Sequence, residues 1–248
     1  MADADIVISW FADVPTAVRA AFVRPTKFIS LPIPSSRKYG AAIQALGQNP
    51  IAAAISKYAP GTTAMRVALV GFSEGCAGVG GLLSTADGGR VDAVLAIDGI
   101  HAGLNYNALK PWFEFAKKAL VDITLFVDSY SSVVPPGYPS TTQTADWIWE
   151  NLNLGAPHIS PPLPPLVVEP TSIKSNALPG VPSKIVEYPT IPWKMQRRDH
   201  GVVMLGLKNN HAAGVADHQY QAKVMLPLCV RAFLADRWNT LDPAQGQV

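Results

Sequence analysis

The stretch Val67-Ala68-Leu69-Val70-Gly71-Phe72-Ser73-Glu74-Gly75-Cys76-Ala77 places the tightest constraint on how this chain folds. An apolar, β-branched run stops at Gly71. A serine follows, with Gly71 two residues before it and Gly75 two residues after, and small residues continue through Gly78, Gly80 and Gly81. G-x-S-x-G between a strand and a helix is a nucleophile elbow. Such a turn lifts the serine hydroxyl out of the sheet edge, holds the serine in a strained backbone conformation, and leaves no room for side chains at the flanking glycines. The small residues let the next helix pack close to neighbouring strands. Its N-terminus aims positive partial charge where an oxyanion forms. The plain alternative is a glycine-rich turn with an idle serine. The strand before and the small-residue helix after, more than the five-residue match, favour the elbow.

Around this stretch the chain alternates strand and helix. Asp5 to Phe11 reads as a strand, followed by a helix capped by Asp13 with Pro15 in its first turn and running to about Val23. Lys27 to Leu31 is a second strand. Tyr39 to Tyr58 is helical and is split by Gly47 and Pro50. After the elbow strand, Met65 to Val70, come a strand at Val91 to Ile97, a helix opened by Pro111 and ending near Ala119, and a strand from Val121 to Val127 closed by Asp128. Near-continuous apolar strands separated by helices argue for a mainly parallel central sheet covered by helices on both faces. Lys184 to Tyr188 and Val202 to Leu207 complete the strands, and a last helix runs from about His218 to Trp238, kinked at Pro227.

From Ser129 the character changes. More than half of the 22 prolines fall between Pro135 and Pro192, and no Lys or Arg occurs between Ala119 and Ile173. Ser140-Thr141-Thr142-Gln143 forms a capping box opening a short helix with Trp147 and Trp149. Gly155 to Pro182 is too proline-rich for helix or interior strand and too apolar for a flexible linker. We read residues 129–182 as an ordered excursion, with Tyr130, Tyr138, Trp147 and Trp149 either walling a substrate site or simply packing inward.

The 248 residues, 48% hydrophobic and 15% charged, fit one globular domain over 1–248. A net charge of +2 and the lack of any basic run with interleaved aromatics argue against a nucleic-acid partner. No apolar run reaches membrane-spanning length, and the first residues lack the pattern of a secretory signal, which leans towards the cytoplasm and leaves a mature secreted form open. Cys76 and Cys229 read as small buried residues in helices, and no Cys/His spacing suits zinc.

Serine nucleophile chemistry needs a base to take the hydroxyl proton and an acid to orient that base. In an open parallel sheet these groups lie at the carboxyl ends of strands. The chain supplies them in the order Ser73, then Asp98 or Asp128, then His211 or His218. His101 reads as a pocket-lining residue, His158 as exposed, and His200 as lying at the wrong edge of the sheet.

The elbow Gly71-Phe72-Ser73-Glu74-Gly75, an aspartate closing a later strand, and a histidine between last strand and last helix resemble the α/β-hydrolase superfamily over roughly Asp5 to Trp238, the proline-rich excursion excepted. The resemblance implies an α/β-hydrolase fold with a proline-rich insertion before the last strand. It also implies a serine esterase that works through an acyl-enzyme, without cofactor or metal, on a small-molecule or polymer ester. It places the acid after the second strand beyond the elbow, at Asp128, with Asp98 at a position some relatives use instead. His218, directly before the final helix, is the base it implies, with His211 the alternative. The oxyanion hole then takes the backbone N–H of Glu74 and, from the turn after an early strand, that of Phe11. No His-Gly-Gly-Gly run is present, and the two strands that usually precede the first one here are missing, so the sheet is minimal, similar to small esterases and cutinase-like enzymes. Amide hydrolysis or acyl transfer on the same triad, and a hydrolase-like binding protein without turnover, are the other readings.

Overall fold

A computed structural model describes residues 2–35, 38–131, 137, 139–153, 168–174, 185–208 and 215–241. It is an α/β structure with a seven-stranded, mostly parallel sheet. The strands are β1 (Ala2–Trp10), β2 (Thr26–Leu31), β3 (Thr62–Phe72), β4 (Ala93–Ile97), β5 (Leu125–Tyr130), β8 (Trp193–Asp199) and β9 (Val202–Leu207), in the order β2-β1-β3-β4-β5-β9-β8. All neighbours are parallel except β8, which pairs antiparallel with β9 and closes one edge. A separate antiparallel ribbon joins β6 (Thr171–Lys174) to β7 (Ile185–Tyr188).

The inner strands are apolar because both faces are covered. Every residue of β4 and of β9 is buried. One face packs against α2 (Tyr39–Gln44), α3 (Pro50–Tyr58), α4 (Gly75–Leu83), α5 (Tyr106–Val121) and α6 (Thr141–Asn151). The other packs against the single turn α1 (Thr16–Arg19), the β6–β7 ribbon and the C-terminal helical segment. In α5 the buried positions Leu109, Trp112, Ala116 and Ala119 recur every three or four residues, which lays one stripe against the sheet. Asp5, buried in β1, is charge-paired with Arg66 of β3, whose guanidinium also donates to the Trp238 carbonyl at 2.9 Å.

The C-terminal segment is not a uniform helix. It runs as α7 (Val215–Tyr220), a π-helical turn at Gln221–Met225, α8 (Leu226–Cys229), a second π-helical turn at Val230–Ala235, and α9 (Asp236–Leu241). Pro227 has no N–H to give to the preceding turn, and the helix meets this by widening on both sides of it.

Several boundaries differ from the sequence expectation, each for a physical reason. The helix after β1 is one turn only. Asn105 accepts from Ala108 N–H and opens α5 five residues before Pro111, so Pro111 lies inside the helix and forfeits one backbone bond there. That helix then consumes Val121, and β5 begins only at Leu125 and runs on to Tyr130. β6 and β8 carry too little apolar alternation to show in the sequence: both lie at edges and bury few residues.

The chain leaves β1 towards β2 on one side and returns to β3 on the other. The strand order therefore reverses between β1 and β3. In open sheets of this kind the crevice beyond the carboxyl ends of the strands at such a reversal is where ligands bind. Ser73 follows β3 and Phe11 follows β1 at that point. No helix among the described residues is long and apolar enough to cross a membrane.

Candidate active site

Ser73 occupies the turn between β3 and α4 with φ 51°, a left-handed conformation that costs a non-glycine residue roughly 1–3 kcal/mol. The turn survives because its surroundings force it. Ser73 N–H donates to the Ile97 carbonyl at 2.9 Å, and the Ser73 carbonyl accepts from Cys76 N–H at 3.0 Å. A Cβ on Gly71 would lie 2.9 Å from the backbone nitrogen of Cys76, and one on Gly75 would lie 2.0 Å from the Trp10 carbonyl oxygen. Both glycines are therefore required by close backbone approach.

His218 lies in α7, and its ring bridges two other elements. Nε2 is 3.0 Å from Ser73 Oγ and Nδ1 is 2.7 Å from Asp98 Oδ2. A carboxylate only accepts, so Nδ1 carries the proton and Nε2 is left to accept from the serine hydroxyl. The Phe72 ring stacks on the imidazole at 4.7 Å, and the Phe11 ring stacks on Phe72 at 5.8 Å.

Asp98 follows β4, is fully buried, and has φ 46°. Its Oδ1 accepts from Ser131 N–H at 2.8 Å and from the Thr141 hydroxyl at 2.6 Å; its Oδ2 accepts from the Ser131 hydroxyl at 2.7 Å as well as from His218. Burial pushes this carboxyl up, but the hydrogen bond and charge of His218 and the hydroxyls of Thr141 and Ser131 outweigh it and hold it below the usual carboxylate range.

Asp128, the acid preferred from the sequence, is not brought to His218. It sits inside β5, opposite Ala96 of β4 and Met204 of β9, two residues short of the strand end. It is fully buried, and among the described residues neither carboxyl oxygen has a hydrogen-bond partner. Burial, reinforced by the charges of Asp98 and Asp146, drives its pKa well above the ordinary carboxylate value, towards the neutral form. The sequence ended this strand too early. With β5 starting at Leu125, Asp128 falls within the sheet and the strand-end position passes to Tyr130.

The other expected residues divide. Phe11, with φ 54°, follows β1, and Gly75 brings the Trp10–Phe11 backbone against the first turn of α4, beside Glu74. His211 lies outside the described residues, as do His158 and Tyr138. His101 is partly buried, and its Nδ1 is 3.2 Å from the Pro139 carbonyl, so that nitrogen carries the proton. Burial pushes its pKa down, against the Pro139 bond and the Asp98 charge, and the charge of His218 lowers it further. His200 is exposed in the turn between β8 and β9, far from this group. Tyr130 and Trp149 pack inward in the core, and the partly buried Trp147 packs on Phe113. Cys76 and Cys229 are free, buried thiols, each driven up by burial. Among the described residues no cluster of His, Cys, Asp or Glu is placed to hold a metal ion.

Ser131 and Thr141 were not legible as partners of the site. The capping box at Ser140–Gln143 is present as expected, but nothing local says that the helix it opens points its first residue at Asp98. Compared with known protein families and with curated proteins, the chain matches none.

Proposed function

We propose that this chain is a serine hydrolase of the α/β-hydrolase type that cleaves a carboxylic ester through an acyl-enzyme. One observation carries the reading: a single imidazole joins a strained serine on a strand-to-helix turn, at 3.0 Å, to a buried carboxylate, at 2.7 Å. Nucleophile, base and orienter stand in the mutual geometry that acyl transfer needs.

In this mechanism Ser73 Oγ attacks the ester carbonyl carbon and its proton passes to His218 Nε2. Asp98 stabilises the imidazolium through Nδ1–H and fixes the tautomer. The negative charge on the former carbonyl oxygen falls to the N–H of Glu74, at the start of α4, and the N–H of Phe11. The tetrahedral intermediate collapses, the carbon–oxygen bond to the alcohol breaks, and His218 returns the proton to the leaving alkoxide. Water then attacks the acyl-enzyme, giving a proton to His218. The acid leaves and Ser73 regains its proton.

The test is labelling by a fluorophosphonate together with hydrolysis of p-nitrophenyl esters of increasing acyl length, for wild type and for Ser73→Ala and His218→Ala with folding checked. Labelling and turnover that both vanish in Ser73→Ala support the reading. Folded wild type that neither turns over nor labels overturns it in favour of a binding protein.

A further inference from the structure

The carboxylate of Asp98 is reached from three separate elements. Ser131, just beyond β5, gives its N–H to Oδ1 at 2.8 Å and its hydroxyl to Oδ2 at 2.7 Å. Thr141, the first residue of α6, gives its hydroxyl to Oδ1 at 2.6 Å. His218 of α7 completes the set at Oδ2. Four donors meet the roughly four acceptor sites a carboxylate offers. The Thr141 hydroxyl has one proton and lies 2.5 Å from the Ser131 carbonyl too, but an ionised carboxylate is a stronger acceptor than a neutral carbonyl. The Thr141 proton is therefore available to Asp98.

We propose that Ser131 and Thr141 are positioning residues that pin both oxygens of Asp98, so that Oδ2 stays aimed at His218 Nδ1 and α6 becomes part of the reacting apparatus. Three further features fit. The start of α6 is rigid, because Ser140 and Gln143 cap each other's backbone, and the Thr144 hydroxyl ties the helix to the Ile100 carbonyl at 2.7 Å. Asp98 has a left-handed backbone, so its side chain is held by partners and not by an easy backbone conformation. The other titratable groups facing Asp98 are His101 from its own loop, Cys76 from α4 and Asp128 from β5, and among the described residues none of these donates to it. A misplacement of about 1 Å in such a constellation can cost about 100-fold in rate.

The effect on turnover rests on the serine hydrolase reading; the effect on the Asp98–His218 hydrogen bond does not. The test therefore reads both. Wild type, Thr141→Val, Thr141→Ser and Ser131→Ala are compared by the downfield proton resonance of His218 Nδ1–H as a function of pH, and by the pH profile of kcat/KM on p-nitrophenyl butyrate. Losing a donor makes the carboxylate bind a proton more tightly, so in Thr141→Val the acid limb moves to higher pH by about 0.5–1 unit, kcat falls roughly tenfold, and the resonance shifts or broadens. Thr141→Ser, which keeps the hydroxyl, behaves as wild type. A folded Thr141→Val with the wild-type resonance and acid limb overturns the proposal, and so does a wild type with no such resonance. Should Thr141→Val fail to fold, Ser131→Ala decides by the same criteria, since it removes a hydroxyl and keeps the amide donor. A wild type that shows the resonance without turnover sinks the hydrolase reading alone, and the proposal is then judged on the resonance.

Discussion

Asp98 lies just past the end of β4 and Asp128 inside the neighbouring β5, and among the described residues one takes four hydrogen bonds while the other takes none. Both are fully buried. The supply of donors decides their chemistry. Asp98 is favoured as an anion facing His218, and the apolar setting of Asp128 pushes it towards its neutral form. Two carboxyls close in the sheet are thus shifted in opposite directions by their surroundings.

Replacing each with asparagine separates the roles. Asp98→Asn removes the acceptor that fixes the tautomer of His218, and kcat for ester hydrolysis is expected to fall roughly 10³–10⁴-fold. Asp128→Asn puts a neutral group of the same shape where burial already pushes the carboxyl towards its neutral form, and kcat is expected to stay within about threefold, because Asp128 does not bond His218 or Ser73. Equal losses in both variants would contradict the assignment.

The same contrast sets a pH dependence of stability. Below the ordinary carboxylate pKa, Asp128 is protonated in folded and unfolded chains alike. As pH rises, the unfolded chain releases that proton while the folded one retains it, so Asp128 makes folding progressively less favourable up to its own raised pKa. Asp98 has the opposite sign: its contribution is present above the ordinary carboxylate pKa and is lost as pH falls through its lowered one. Urea midpoints followed from acid to neutral pH check this. Asp128→Asn should gain on wild type as pH rises above about 4, and Asp98→Asn should lose on wild type as pH rises towards about 4.

Gly75 faces backbone, which cannot step aside as a side chain can. Gly75→Ala puts a methyl group 2.0 Å from the Trp10 carbonyl oxygen and is expected to cost about 1–3 kcal/mol or to push the Phe11 turn away. In the second case the proposed hydrolysis loses kcat with little change in KM, because the Phe11 N–H proposed to bind the oxyanion has moved. Gly40, in α2, has nothing within 4 Å of a Cβ, and Gly40→Ala should be neutral or stabilising by up to about 1 kcal/mol. Chemical denaturation and ester kinetics on the two variants distinguish these effects.

Two helix caps of similar strength should differ in what they cost. Ser140→Ala and Asn105→Ala each remove a side-chain acceptor from a helix start, at 3.1 Å and 3.0 Å, and each should destabilise by about 1 kcal/mol. Only the first releases the turn carrying Thr141. Thermal melts are expected to agree for the two, while kcat falls severalfold in Ser140→Ala alone.

The elbow was legible because its requirements are local: an apolar strand, two glycines and a small-residue helix lie within a few residues of Ser73. His218 was legible as a residue near the start of the last helix. The acid was not. Its choice depended on where β5 ends, and Val121 and Ile123 look like strand residues although they are 87% and 65% exposed in the structure. The partners of Asp98 depended on contacts across 33 and 43 residues, which no periodicity records. The edge strand β8 was hidden for another reason: it carries the charged residues Lys194, Arg197 and Arg198, of which Arg197 is buried, and its burial does not alternate cleanly.

Phe11, Ser73 and Asp98 all hold positive φ angles, of 54°, 51° and 46°, at the carboxyl ends of β1, β3 and β4, which are neighbours in the sheet. Glycine would relax each of the three backbones by roughly 1 kcal/mol or more. A search for heat tolerance that ignored chemistry would therefore drift towards glycine at these positions and lose the site with each success. Turned round, this gives a map that needs no substrate. Scanning the chain for positions where glycine raises the melting temperature would find this rim, together with the turns at Asn153 and His200, whose φ angles are 55° and 44°.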